Sequence, residues 1–391
     1  MHTMPHREPS TFFSSALRRT FAPVRDRAVA SLPLVLSTAA LLLWATGCSN
    51  EPAPRDTHAP IGNTGEISDF FYQMLLYLDG VILAIVAAVW VWALVKFKKR
   101  DGDDTLPEQN HGNLKLEVLW TAIPTLIVVA ITVPMLAGVF KLAAKPDVNQ
   151  PLVEVDVTGK QWWWEFDYKN GTAQGLQAAN ELHVPADTQV TLNMTAADVM
   201  HAWWIPRLGG KRDATPGRNY PMHFTAKQPG VYDGQCAELC GASHALMGTK
   251  LFVHPKMGEI DVEYPPGSGK KVHLESYDSW AKAQLKPAAT PSAEVEKGLK
   301  VFKERTCPTC HIIQGLEGTD VATRAATSGP NLTHVGSRLA IAGNTLVNNA
   351  ENLDKWIAKP SAIKPGSKMP DGLVSNAEDR KALVAFLQSL K

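Results

Sequence analysis

Three hydrophobic periods follow one another along this chain. Phe70–Val95 and Val118–Phe140 are almost unbroken apolar stretches. Each exceeds the roughly 20 residues that a helix needs to cross about 30 Å of hydrocarbon, so both are predicted to span a membrane. Lys96, Lys98, Lys99 and Arg100 lie between them, and a basic connector belongs on the cytoplasmic side. Everything after Lys141 is then predicted on the opposite side. From Pro151 to about Val262 the period shortens to two: Val153, Val155 and Val157 alternate with Glu154, Asp156 and Thr158. Runs such as Val190–Met194 and Lys250–Val253 are bounded by turn residues, among them Pro185-Ala186-Asp187 and Gln228-Pro229-Gly230. Short alternating strands at this density predict a β-sandwich or small barrel.

Pro265-Pro266-Gly267-Ser268-Gly269 breaks the alternation, Leu274–Leu285 reads as a short helix closing the preceding domain, and Pro287-Ala288-Ala289-Thr290-Pro291 reads as a stiff connector. Beyond it the period is helical. Val295, Leu299 and Phe302 share one face, and Leu383, Leu387 and Leu390 form a second stripe on a helix whose predicted capping box is Ser375 with Glu378. The predicted organisation is a multidomain membrane protein. A signal over residues 1–47 and a tether over 48–66 precede a two-helix transmembrane hairpin over 67–145. An all-β domain over 146–264, a linker with a short helix over 265–291 and an all-α domain over 292–391 follow.

The N-terminal pattern is that of an export signal. Arg18, Arg19, Arg25 and Arg27 precede an apolar run from Ala28 to Trp44, then Ala45-Thr46-Gly47-Cys48. The small residues before Cys48 resemble a bacterial lipobox, which implies lipidation of Cys48. The alternative is a third transmembrane helix. Net charge is +1, and neither a basic tract nor a Gly-rich phosphate loop is present, so nothing points to nucleic acid or nucleotide.

Five cysteines occur in 391 residues, and four of them sit beside histidines. Cys236, Cys240, His244 and Met247 crowd one segment, with His201 upstream. Pro229-Gly230 and Gly241 favour a loop there, so that ligands can converge. Thiolates and imidazoles suit copper or zinc, and a thioether adds weight for copper. A tetrahedral Cys2His2 zinc site and a Cys236–Cys240 disulfide are the alternatives. Cys307-Pro308-Thr309-Cys310-His311 is a C-x-x-C-H run, the pattern of covalent haem c attachment with His311 on iron. Met369 is the first candidate for the second axial ligand, and His334 is its rival. Asp79 and Glu117 are ionisable groups at membrane depth, where function is suspected. A contact to a neighbouring subunit is the alternative for Asp79, and a helix-dipole role is the alternative for Glu117.

The run Cys236-Ala237-Glu238-Leu239-Cys240-Gly241-Ala242-Ser243-His244 with Met247 and His201 resembles subunit II of haem-copper cytochrome c oxidases. The resemblance covers about Ile67 to Val262 and includes His201-Ala202-Trp203-Trp204-Ile205-Pro206 and Asp213-Ala214-Thr215-Pro216-Gly217-Arg218. It implies a cupredoxin-like domain with a dinuclear copper A centre held by His201, Cys236, Cys240, His244, Met247 and the Glu238 carbonyl. It further implies a magnesium site shared with subunit I near Asp213 and Glu238. In Gly159-Lys160-Gln161-Trp162-Trp163-Trp164-Glu165-Phe166, Trp162 stands where electrons enter in the family. The alternative is an aromatic belt at the membrane surface. Lys160 replaces the histidine common there. Glu117-Val118-Leu119-Trp120-Thr121 resembles the family's second helix, whose glutamate lies at a proton-path mouth. The C-terminal region, with Gly329-Pro330-Asn331-Leu332, resembles class I cytochrome c.

Together these resemblances imply a caa-type oxidase subunit. It would accept electrons through haem c from a cytochrome c or membrane-bound cytochrome reductase. It would pass them through copper A to subunit I, where oxygen is reduced with proton pumping, in a complex that also holds subunit III. The implied location is a bacterial inner membrane with both metal domains on the periplasmic side. A donor subunit of a haem-copper nitric oxide reductase, a copper-free scaffold subunit and a free-standing tethered carrier are the alternatives.

Overall fold

The computed structural model describes residues 53–98, 102, 109, 111–288, 292–293, 295–316 and 329–391. The leader with Cys48, and Lys99 and Arg100 of the basic connector, lie outside the described residues. Helix α1 (Asn63–Lys96) and helix α2 (Leu114–Ala143) both run past the apolar stretches that predicted them. At 1.5 Å per residue each is longer than the roughly 30 Å hydrocarbon core, which leaves polar ends outside it. The first turns of α1 use that length. The Thr64 hydroxyl donates to the Leu208 carbonyl, and Lys227 Nζ bonds Glu66 at 2.7 Å, so the helix begins against the β-domain. Pro124 and Pro134 lie within α2 without ending it. The lengths of both helices carry large exposed apolar side chains such as Trp90, Val95, Leu126 and Phe140, as a lipid- or partner-facing surface requires.

The β-domain consists of two five-stranded sheets. The first is ordered β3 (Gln177–Ala179), β2 (Trp163–Tyr168), β1 (Leu152–Lys160), β5 (Thr188–Ala196), β8 (Tyr220–Ala226). The second runs β4 (Glu181–Pro185), β10 (Gly248–His254), β9 (Gly230–Cys236), β6 (His201–Trp204), β7 (Arg212–Ala214). Strand β1 buries Val153, Val155 and Val157 and turns Glu154, Asp156 and Thr158 outward, as its alternation predicts. Packed between the sheets are Trp164, Phe166, Leu192, Met194, Trp203, Leu182 and Leu251. At about 25 cal/mol per Å² such side chains each contribute on the order of 1.5–3 kcal/mol.

The stretch predicted as a linker differs from expectation. Residues 260–274 form a hairpin, β11 (Ile260–Glu263) with β12 (Lys271–Leu274), and helix α3 (Tyr277–Gln284) begins later than predicted, capped by Ser276. Tyr277, Trp280 and Ala281 are buried in the sandwich core. The reason is aromatic packing: the Trp280 ring stacks on His183 at 4.1 Å and lies 6.0 Å from Tyr168. The helix closes the β-domain, as its sequence suggested, and the linker is shorter than the 265–291 assigned to it.

The C-terminal domain has its own core. Helix α4 (Glu296–Glu304), the two-residue strands β13 (Ala340–Ile341) and β14 (Leu346–Val347), and helices α5 (Ala350–Ala358), α6 (Pro360–Ile363) and α7 (Ala377–Ser389) surround it. Phe302 of α4 meets Phe386 of α7 with ring centroids 5.9 Å apart, among Val301, Ile313, Leu353, Leu383 and Leu387. The cap of α7 is Asn376, not Ser375. The Asn376 side chain accepts from the Glu378 and Asp379 N–H groups, satisfying donors of the first turn directly.

Candidate metal and haem centre

Strand pairing assembles the first cluster. His201 opens β6 and Cys236 ends β9, and these strands are neighbours with Trp203 opposite Cys236. From Cys236 the chain leaves the sheet, passes through the short 3-10 turn His244–Leu246 and returns at Met247, whose carbonyl accepts from Cys236 N–H at 2.9 Å. Closing the loop on itself turns Cys240, His244 and Met247 back toward Cys236. Gly241 in this loop has φ +113°, and a Cβ there would press on Trp162.

The donor atoms are close. Cys236 Sγ lies 3.8 Å from Cys240 Sγ and 3.9 Å from His201 Nδ1. Cys240 Sγ lies 3.5 Å from His244 Nδ1 and 3.9 Å from Met247 Sδ, and the Glu238 carbonyl is 3.3 Å from Cys236 Sγ. Two sulfurs 3.8 Å apart are not a disulfide, whose S–S length is about 2 Å. Cys236, Cys240, Met247 and His201 are buried. His201, Cys236 and Cys240 alone could hold an ion. The wider set of two thiols, two imidazoles, a thioether and a carbonyl would suit a pair of copper ions. A single tetrahedral zinc ion would leave the thioether without a role.

Asp198 organises the cluster. Its carboxylate accepts from His201 Nε2 at 2.9 Å and from Gln161 N–H at 2.8 Å. That leaves His201 Nδ1 facing the thiols, the usual support for a ligating imidazole. Burial alone would raise the Asp198 pKa, but the bonds from His201, Gln161 and Val199 hold it below the ordinary carboxylate value. The Cys240 thiol, against burial and with His201, holds Cys236 below the ordinary thiol value.

Trp162 sits at the tip of the β1–β2 hairpin, where Lys160 opposite Trp163 leaves Gln161 and Trp162 as a two-residue turn. Trp162 Nε1 donates to the Cys240 carbonyl at 3.0 Å, and Gln161 Nε2 donates to the same oxygen at 2.8 Å. Its indole is therefore in direct contact with the copper loop. Lys160 is turned aside, bonded to Glu165 at 2.8 Å and lying over the Trp163 ring. Trp162 is only 8% exposed, so it is no part of a solvent-facing aromatic belt.

In the C-terminal domain Cys307, Pro308 and Thr309 form one 3-10 turn, and His311 N–H bonds the Cys307 carbonyl at 3.0 Å. Burial pushes the Cys307 thiol up to about 11, an environment that suits a neutral thioether. His311 Nδ1 is 2.8 Å from the Pro330 carbonyl, which sets the tautomer and would leave Nε2 as the ligand atom for a bound haem. Met369 packs against the same core cluster as Cys307 and Leu332. His334 points elsewhere: its Nε2 lies 3.1 Å and 3.0 Å from the carbonyls of Gln284 and Lys286. The Cys307 and Cys310 thiols and the His311 imidazole fit a covalently attached haem, which they would hold, and Met369 packs on the same core cluster.

The remaining candidates, and the side chain of Glu238, are not drawn into either centre. Asp213 is exposed on β7, separated by β6 from the start of the copper loop, and Glu238 is half-buried on that loop. Glu117 accepts from Asn113 N–H at 3.2 Å while Asn113 accepts from Lys115 and Leu116, a reciprocal cap of α2. Asp79 is exposed on α1. Asp198 and Lys364 were missed in the sequence. Asp198, three residues before His201, could have been suspected as its orienting carboxylate, whereas no local pattern marks Lys364.

Comparison with known proteins identifies the family. Residues 57–137 match the transmembrane domain of cytochrome c oxidase subunit II, residues 169–252 match its periplasmic domain, and residues 295–391 match cytochrome c. Cytochrome c oxidase subunit 2 of Alkalihalophilus pseudofirmus is 36% identical over 359 residues, covering 90% of this chain and 95% of that protein. The Bacillus subtilis protein of the same name is 30% identical over 378 residues, covering 92% and 97%. A crystal structure of the periplasmic domain of subunit II from Bradyrhizobium japonicum is 32% identical, covers 28% of this chain and 87% of that one, and has a TM-score of 0.26. The chain belongs to the cytochrome c oxidase subunit II family, as a membrane-bound subunit of an oxidoreductase complex that carries its own C-terminal cytochrome c domain.

Proposed function

We propose that this chain takes electrons from a cytochrome c, or from a membrane-bound cytochrome reductase, at its C-terminal domain and delivers them through its β-domain to subunit I. Oxygen would be reduced to water there with proton pumping, and subunit III would complete the assembly. His201, Cys236, Cys240, His244, Met247 and the Glu238 carbonyl would hold the copper pair. Cys307, Cys310, His311 and Met369 would hold the haem. When bound, the two groups supply one-electron couples that need no bond breaking. The chain supplies the rest. Asp198 sets the His201 tautomer, the buried sulfurs exclude water, and the Trp162 hairpin tip touches the copper loop.

Leu239, 77% exposed between Glu238 and Cys240, offers an apolar contact for subunit I beside the magnesium site proposed at Asp213 and Glu238. Glu117 is retained as a proton-path residue in addition to its capping bond. The location proposed is the inner membrane of a bacterium, with both globular domains periplasmic and Cys48 lipidated. One observation carries the reading above the others: two thiols, two imidazoles and a thioether converge on one loop, directly behind Trp162. The test is copper and iron content of the purified chain with its visible and near-infrared spectrum. Two coppers per haem with a mixed-valence near-infrared band are expected. Zinc at the cysteines in folded, copper-replete protein would overturn the reading.

A further inference from the structure

The C-terminal domain lies directly on the copper loop and the Trp162 hairpin. Lys364, which precedes the Pro365–Met369 segment, is 4% exposed although it bears an amine. Its Nζ donates across the boundary to the Trp162 carbonyl at 2.5 Å and, within its own domain, to the Ala342 carbonyl at 3.0 Å. Both partners are neutral, and burial pushes the amine down to about 7. A buried lysine whose hydrogen-bond partners are carbonyls is costly to the fold, because burial outweighs the attraction of the Cys240 thiol. Its position therefore calls for a reason.

Further bonds converge on the same place. Ser243 Oγ donates to the Pro365 carbonyl at 2.7 Å, Thr345 Oγ1 to the Leu246 carbonyl at 3.0 Å, and Gly248 N–H to the Gly343 carbonyl at 2.8 Å. Gly366, at φ +81°, lies flat against the indole, and a Cβ there would stand 2.6 Å from a Trp162 ring carbon. The contact thus joins the copper loop to the segment that carries Met369.

From this geometry we infer that Lys364 is a positioning residue, the internal clamp that seats the C-terminal domain on Trp162 and makes that tryptophan a buried handover point rather than a docking site for external proteins. An outside donor then meets the C-terminal domain and not Trp162. The inference rests on the proposed electron route but concerns a contact that can be tested apart from it.

The test uses the purified oxidase complex with the full chain. Hydroxyl-radical footprinting read by mass spectrometry measures how fast Trp162 is modified, and flash-induced reduction of the haem measures the onward rate to copper. In the native complex Trp162 should be protected relative to a more exposed tryptophan of the globular domains, such as Trp356. Lys364→Met should raise Trp162 modification several-fold and slow the handover by ~10-fold or more, with the haem spectrum and the near-infrared band unchanged. Thr345→Val, which keeps its volume and loses the bond to Leu246, should do both to a smaller degree. Trp162 labelled in the native complex as fast as Trp356 would overturn the clamp, whatever the variants do. So would a folded Lys364→Met protein with native protection and native rate. A complex lacking the near-infrared band, with Trp162 still protected, would refute the copper route and leave the seating intact.

Discussion

Met247 illustrates what one residue contributes at this site. It is fully buried, and its sulfur stands 3.9 Å from Cys240 Sγ. Leucine fills nearly the same volume, and such swaps usually cost under about 1.5 kcal/mol. Met247→Leu should therefore fold normally, with an altered near-infrared copper band and unchanged haem absorption. An unaltered band would remove Met247 from the ligand set. Most of the donor residues were legible in the sequence, because the chemistry of Cys-x-x-x-Cys-x-x-x-His with a nearby methionine is local. Asp198 was not singled out, since a carboxylate three residues before a histidine acquires its role only when the fold sets it on His201 Nε2 while Nδ1 faces the thiols. Met369 and His334 were also open on spacing alone. Their side chains go different ways: His334 turns to the carbonyls of Gln284 and Lys286, while Met369 packs, half-buried, against the C-terminal core.

At the scale of elements, the parallel pair β4 and β10 sets buried titratable groups against each other. His183 Nδ1 lies 2.8 Å from His254 Nε2, and Glu181, at the start of β4, accepts from Leu339 N–H of the C-terminal domain at 2.9 Å. Burial raises the Glu181 carboxyl from 4.5 to about 7, against the opposing charges of Arg338 and Lys250. Burial also lowers His254 from 6.5 to about 4 and His183 well below its ordinary value. An acid with a raised folded pKa binds more protons folded than unfolded, so its contribution to stability falls as pH rises from 4.5 to about 7. Histidines with lowered folded pKa values do the reverse, losing stability as pH falls from 6.5 toward 4. The two slopes oppose each other over their shared window. Glu181→Gln removes the first and keeps an acceptor for Leu339. Denaturation midpoints of this variant should drop on acidification from about pH 7 to about pH 5 more steeply than those of the native chain, by a difference of up to roughly 3 kcal/mol. Equal slopes in the two proteins would refute the assignment.

Across the whole molecule, two separate hydrophobic cores meet through a mainly polar contact, with Leu339 packed beside Val231, Phe252 and Leu274 as an apolar exception. Lys368 adds an exposed ion pair to Asp198 at 3.4 Å, a geometry worth about 0–1 kcal/mol. Cores that do not merge unfold as separate units. Calorimetry of the loaded chain is expected to show two transitions in the globular region. Cys310→Ser, which removes one haem attachment, should lower only the one reported by haem absorption, leaving the transition reported by the near-infrared band in place. A single merged transition, lowered as a whole by Cys310→Ser, would show that the domains are energetically one.

The sequence by itself determined everything that depends on neighbours along the chain. The apolar runs of α1 and α2, the alternation of β1 and the C-x-x-C-H turn have physical causes within a few residues of each position. Boundaries were less secure. Asn376 displaced Ser375 as a cap because its side chain reached the free N–H groups, and Tyr277 and Trp280 shortened the predicted linker by packing on His183 and Tyr168. Only the tertiary structure decided that the C-terminal domain lies on Trp162, through contacts such as Lys364 with Trp162 and Thr345 with Leu246. Those pairs are separated by 202 and 99 positions. No periodicity or spacing reaches so far, because such bonds exist only once both domains have folded and two carbonyl oxygens stand ready to accept them.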